Sequence, residues 1–189
     1  MASAVVTTPP ETPMSRQEFR RWVEARPHGR FERIDGLAVA MAPERVALVR
    51  VKARAWRALD DAVRASGLDC EVFADGATVE VDNNDFEPDA VLRCGPRLPG
   101  DTIAVPDPVI VVEVLSPGTR ANDVTRKLVA YFRIPSVRHY LVFFADRPHV
   151  IHHRRRDDGD GVETRILAEG EIVLDPPGIR VAVAEVYGG

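Results

Sequence analysis

The spacing of apolar positions changes several times along the chain, and each change predicts an element. Behind "SRQE", a capping box formed by Ser15 and Glu18, the residues Phe19, Trp22 and Val23 recur at helical spacing, predicting a first helix to about Arg26, stopped by "PHG". "RFERIDGLAVAMAP" then reads as two short strands around Asp35-Gly36, a strong hairpin signal. From Glu44 to Ser66 the pattern is a long amphipathic helix with a stripe of Val49, Ala53, Trp56, Leu59 and Val63, ended by Gly67. "CEVFAD" and "ATVEVD" flank Gly76 as a second hairpin, and "DNNDF" turns the chain into the strand "EPDAVLRCG". "PRLPGDTIAVPDP" is a polar, proline-rich connection to "PVIVVEVLSP", an aliphatic run that predicts a strand buried on both faces.

Beyond "SPGTRAND" a helix is expected over about Asp123 to Phe132, with Val124, Leu128, Tyr131 and Phe132 apolar. "HYLVFFA" and "HVIHHRRR" follow as strands, then the turn "DDGDG", "ETRILAEG", and a tail "IRVAVAEVY" read as a strand or short helical turn. The order of helix, β-meander and strand–helix–strand predicts an α/β fold, a mixed β-sheet covered by helices. At 189 residues the chain reads as one domain over residues 15–189, behind a disordered leader over 1–14.

Composition narrows the function classes. A 45% hydrophobic and 29% charged chain is ordinary for a folded protein, and a net charge of −4 argues against nucleic-acid binding through overall basicity. No segment has the apolar length of a membrane span, no signal peptide is legible, and the cytoplasm is the expected compartment. In that reducing setting Cys70 and Cys94 read as small buried hydrophobes rather than a disulfide. Of 25 basic residues only Lys52 and Lys127 are lysines, which makes each worth attention.

The chemistry centres on two strand acids, Asp89 in "EPDAVL" and Glu113 in "VIVVEVL". A carboxylate inside an apolar strand is costly unless paired, hydrogen-bonded or bound to a metal. Strand alternation sets Glu113 on one face with Val109, Val111 and Leu115. If the two strands are neighbours, two converging carboxylates suit a hard divalent cation, Mg²⁺ or Mn²⁺, and metal-assisted phosphoester hydrolysis. The competing reading pairs each acid with an arginine. Lys127 either forms an i,i+4 pair with Asp123 or supplies a cation beside the metal and scissile phosphate. His149, His152 and His153 invite a zinc reading, but alternation sends the last two to opposite faces, and a solvated edge strand is the expectation. No phosphate-binding glycine loop supports a nucleotide cofactor.

In order, "FERIDG", "EPDAVLRCG", "PDPVIVVEVLSPGTRANDVTRKLVAYF" and "VRHYLVF" resemble the Uma-two-like family, bacterial proteins of the restriction-endonuclease-like PD-(D/E)XK nuclease superfamily. The resemblance spans about Glu18 to Tyr187 and implies a restriction-endonuclease-like core with an added N-terminal helix and β-hairpin. It implies catalytic residues Asp89, Glu113 and Lys127, with Glu32 accessory. Asp89, Glu113 and the main-chain carbonyl of Val114 would ligate Mg²⁺ or Mn²⁺. Leu115 stands where the wider superfamily keeps its lysine, and Lys127 on the next helix matches the place this family uses. Leu48 stands about where relatives carry a histidine.

The implied function is a Mg²⁺-dependent DNA endonuclease leaving 5′-phosphates, a homodimer by analogy; Arg120 and Arg126, near the proposed site, are the candidate phosphate contacts. Two other readings stand beside it: a nuclease-fold protein without catalysis that binds nucleic acid or a partner, and a hydrolase of RNA or a small phosphodiester.

Overall fold

The computed structural model describes residues 9–116, 121–159 and 161–188. Helix α1 (Arg16–Glu24) begins at the predicted capping box and buries Phe19. Strands β1 (Phe31–Ile34) and β2 (Leu37–Ala40) pair through Asp35 and Gly36, whose φ values of 53° and 83° are the left-handed pair that a tight hairpin requires. Residues 1–8 of the expected leader lie outside the described residues. Met14, at its other end, donates its N–H to the Gly36 carbonyl at 2.7 Å.

Helix α2 (Val46–Ser66) ends at Gly67, at φ 66°. Its buried face is rotated from the expected stripe. Val51, Ala55, Ala58, Leu59 and Val63 face the core, while Val49 and Ala53 are exposed. So much of this helix is Ala or Val that more than one stripe fits the helical period, and packing against the sheet selects between them.

Next come β3 (Cys70–Ala74), β4 (Val79–Val81), β5 (Asn84–Phe86), β6 (Ala90–Cys94) and β7 (Pro108–Leu115). They are followed by α3 (Ala121–Tyr131), β8 (His139–Phe144), β9 (Val150–Arg155) and β10 (Val162–Leu167). The chain closes with β11 (Glu171–Leu174), β12 (Ile179–Ala182) and α4 (Val183–Tyr187), so the tail is both strand and helical turn. No described helix is long and apolar enough to cross a membrane.

The main sheet has six strands in the order β10-β9-β8-β7-β6-β3. Only β7 and β8 pair in parallel within it, joined by the crossover through α3, so the sheet is mixed as predicted. A four-stranded sheet, β2-β1-β5-β4, stands apart from it. The expected hairpin at Gly76 is therefore absent: β3 pairs with β6, and β4 pairs with β5 through "DNN". Gly76, at φ 106°, turns the chain from one sheet to the other.

Alternation divides the core between the two faces of the main sheet. Leu92, Ile110, Val112 and Leu141 pack under α2, while Val91, Val111, Tyr140 and Val142 pack with Tyr131 of α3 and with Phe86. Two expectations change here. Cys70 and Cys94 are direct cross-strand partners and form a disulfide, because the β3–β6 register sets them face to face. His152 and His153 are buried rather than solvated, because β9 lies inside the sheet with β10 beyond it.

Candidate active site

Glu113 lies on the face of β7 that α3 covers, and the helical period does the rest. Lys127 and Tyr131 are one turn apart, so both reach the same carboxylate. The Lys127 Nζ stands 2.9 Å from Glu113 Oε1, and the Tyr131 hydroxyl donates to that oxygen at 3.0 Å. The same ammonium stands 2.9 Å from Glu32 Oε1. Glu32 reaches it because its neighbour Arg33 is held by Asp85 in the small sheet, at 2.8 Å, and alternation turns Glu32 the other way. Glu32 also accepts the Glu87 N–H at 2.9 Å.

Asp89 enters from the start of β6. The register pairs Ala90 with Val112, so one step further Asp89 stands across from Glu113. Its N–H donates to the Val112 carbonyl at 2.9 Å, and its Oδ2 accepts the Val114 N–H. The N–H and C=O of one strand residue point to the same side, so the Val114 carbonyl lies on the edge of β7 that faces Asp89. Asp89 Oδ1 lies 2.6 Å from the Nζ of Lys52, one turn beyond Leu48 on α2. Lys52 also bonds Glu44 and, at 3.3 Å, Asp75, while Arg30 links Asp75 to Glu87.

Glu32, Glu44, Lys52, Asp89, Glu113 and Lys127 line one cleft of about 1060 Å³. Glu32, Lys52, Asp89, Glu113 and Lys127 are all buried. Burial pushes the Glu113 carboxyl up to about 8; Lys127 opposes the shift, and the charges of Asp89 and Glu32 add to it. Burial raises Asp89 too, against the pull of Lys52, and raises Glu87 against Arg30. Burial works against the Lys52 charge, yet Asp89 and Glu44 outweigh it and hold its pKa above the ordinary lysine value. Tyr131 is pushed well above its ordinary value by burial and by Glu113, and so stays a donor.

Six carboxylates, Glu32, Glu44, Asp75, Glu87, Asp89 and Glu113, thus meet three cations, Lys52, Lys127 and Arg30. Three of these acids, Glu32, Asp89 and Glu113, are buried beside two buried ammoniums, and burial raises Asp89 and Glu113, an imbalance that a divalent cation relieves. Asp89, Glu113 and the Val114 carbonyl offer hard oxygens, the donor type that such an ion prefers.

Asp89, Glu113, Lys127 and Glu32 all line this cleft. Arg126 lies at the cleft, exposed and 3.6 Å from Asp35. Arg120 lies outside the described residues, as do the side chains of 121–123 that include the alternative Lys127 partner Asp123. Lys52, Glu44, Asp75, Glu87 and Tyr131 were not anticipated. Lys52 carried one signal, its scarcity as one of two lysines. Tyr131 carried another, its place one turn after Lys127.

The histidines form no metal centre among the described residues. His139 Nδ1 meets His152 Nε2 at 2.9 Å, His139 Nε2 meets the Pro176 carbonyl, and His153 meets Thr164. Burial pushes His139 down to about 3 and His152 to about 4, so both are neutral at physiological pH. Arg154 and Arg156 are engaged by Asp157 and Asp158.

Residues 16–184 match a family model described as "Uma2: Putative restriction endonuclease". The chain is 30% identical over 182 residues to "Uncharacterized protein slr1290" of Synechocystis sp. (strain ATCC 27184 / PCC 6803 / Kazusa), covering 93% of this chain and 92% of that one. In fold it is similar to the crystal structure of "a putative nuclease belonging to DUF820 from Anabaena variabilis ATCC 29413", with a TM-score of 0.73. That likeness covers 93% of this chain and 98% of the other at 14% identity.

Proposed function

The chain belongs to the Uma2 family, and from that premise we propose that its cleft hydrolyses DNA phosphodiester bonds with one divalent cation, Mg²⁺ or Mn²⁺. The observation that carries this reading is Lys127. An ammonium delivered by α3 stands between Glu113 and Glu32, beside Asp89, where strand residue 115 is a leucine. Asp89, Glu113 and the Val114 carbonyl would hold the ion, which when bound supplies positive charge to the phosphoryl oxygens and acidifies water.

The protein's own groups do the rest. Val114 N–H and Lys52 fix both oxygens of Asp89, and Tyr131 fixes Glu113. Lys127 presents charge at the cleft wall, where it aligns the attacking water and stabilises charge developing on phosphorus oxygens. Glu32 holds that ammonium in place. Arg126 is a phosphate contact at the cleft mouth.

Residues 15–189 act in this reading as a single nuclease domain. The active form is a homodimer, since two strands require two sites. The compartment in this reading is the cytoplasm.

A second reading, a nuclease-fold binding module without catalysis, is favoured by one observation: Leu48, at the cleft one turn from Lys52, neither ligates nor transfers protons. DNA and RNA substrates incubated with Mg²⁺ and Mn²⁺, with Asp89→Ala and Lys127→Ala proteins alongside, decide among these readings. Cleavage of DNA by the wild type, lost in both variants, is expected. Equal cleavage by all three overturns the assignment, cleavage of RNA alone supports the RNA hydrolase, and binding without cleavage supports the module.

A further inference from the structure

Lys52 is buried in the cleft wall formed by α2. Its ammonium lies 2.6 Å from Asp89 Oδ1 and 3.3 Å from Asp75 Oδ2, and it is hydrogen-bonded to Glu44. One oxygen of each of these carboxylates lies within 4.8 Å of the other two. An ammonium has three donors, and here it has three carboxylates to receive them. The three acids come from separate places in the chain: the segment before α2, the turn after β3, and the residue before β6. Lys52 joins them. Freezing a lysine stem in such a position costs side-chain entropy that an ordinary exposed ion pair would not offset.

Phosphodiester hydrolysis is served either by two divalent ions about 3.5–4 Å apart, sharing a bridging carboxylate, or by one ion working beside fixed protein cations. Asp89 has the position of a bridge, with Glu113 on one side and the Glu44–Asp75 pair on the other. Lys52 stands on that second side.

We propose that Lys52 is a positioning residue that fills the second cation place of this cleft, holding Asp89 by Oδ1 and limiting the centre to one divalent ion. The proposal rests on the single-ion site of the proposed function. It concerns α2, which carries no residue of the PD…E…K set.

Mn²⁺ is the probe, counted by calorimetry on the full chain and examined by electron paramagnetic resonance. The wild type is expected to bind one Mn²⁺ with an uncoupled signal. Lys52→Met, which keeps the stem and removes the charge, is expected to bind two that are spin-coupled through Asp89. Lys52→Met/Asp75→Asn is expected to return to one. If Lys52→Met does not fold, Lys52→Gln, which keeps a donor to Asp89, takes its place.

A wild type that already holds two ions overturns the proposal. So does a charge-free variant that still binds one with unchanged affinity. A wild type that binds none, beside a Lys52→Met chain that gains one ion lost again with Asp75→Asn, upholds the role of Lys52 and overturns the single-ion site instead. No binding by either protein overturns both.

Discussion

The Lys127 ammonium stands 2.9 Å from a carboxylate oxygen of Glu32, a residue 95 positions earlier in the chain. The contact joins the N-terminal hairpin to the crossover helix, and the same ammonium serves Glu113 from the central strand. Three separate segments thus meet at one buried nitrogen.

Removing that nitrogen tests its role. Lys127→Met keeps the packing and leaves Glu32 and Glu113 without their shared cation. Breaking a buried pair in this way costs about 3–5 kcal/mol, measurable by urea unfolding in the presence of a chelator. Cleavage is expected to fall by a factor of about 10²–10³, as when one charge-stabilising donor is lost. Loss of stability with unchanged cleavage would make Lys127 a structural residue only.

Metal binding should appear as stabilisation. At a hundredfold excess over its Kd, Mn²⁺ is expected to stabilise the wild type by roughly 2.7 kcal/mol. Thermal melting of Glu113→Ala and Asp89→Ala proteins should show little of this. An equal Tm shift in all three proteins would place the ion elsewhere.

The Glu113 carboxyl also sets a pH dependence. Burial raises it from 4.5 in the unfolded chain to about 8 in the fold. Between these values the unfolded group releases its proton and the folded one keeps it, so this contribution is complete below the lower value and declines as pH rises. In chelator, Glu113→Gln should therefore gain stability relative to the wild type from about pH 5 to about pH 8. Parallel stability curves for the two proteins would mean that the carboxyl is ionised throughout.

Leu48 supplies a gain-of-function test. It lies at the cleft one turn before Lys52, so a histidine there would enter the site without disturbing the sheet. If proton transfer limits the reaction, Leu48→His should raise cleavage by about 10²-fold, the lower end of the range that general acid–base groups supply. An unchanged rate over a pH series would show that this position takes no part.

Much of this arrangement was legible in the sequence because it depends on local chemistry. The Ser15–Glu18 box, the Asp35-Gly36 turn and the crossover strand with its following helix are each specified within a few residues. Asp89 and Glu113 were legible as acids in apolar strands. The pairing of β3 with β6 was not legible, because adjacent strands in sequence imitate a hairpin and only the register distinguishes them. The Cys70–Cys94 contact follows from that register and was missed with it. Lys52 was missed for a related reason: its partners Glu44, Asp75 and Asp89 lie on segments with no shared period, and only the folded α2 brings them together.

A parallel pair of strands cannot be closed by a tight turn, so β7 and β8 require the excursion through α3. The helix that carries Lys127 is thus an obligatory part of the sheet's connectivity. A lysine on a loop could be lost by deletion while the scaffold persisted. Here, excising the segment that bears the lysine would also disconnect the central strands, so in this architecture the charge and the scaffold are inherited together.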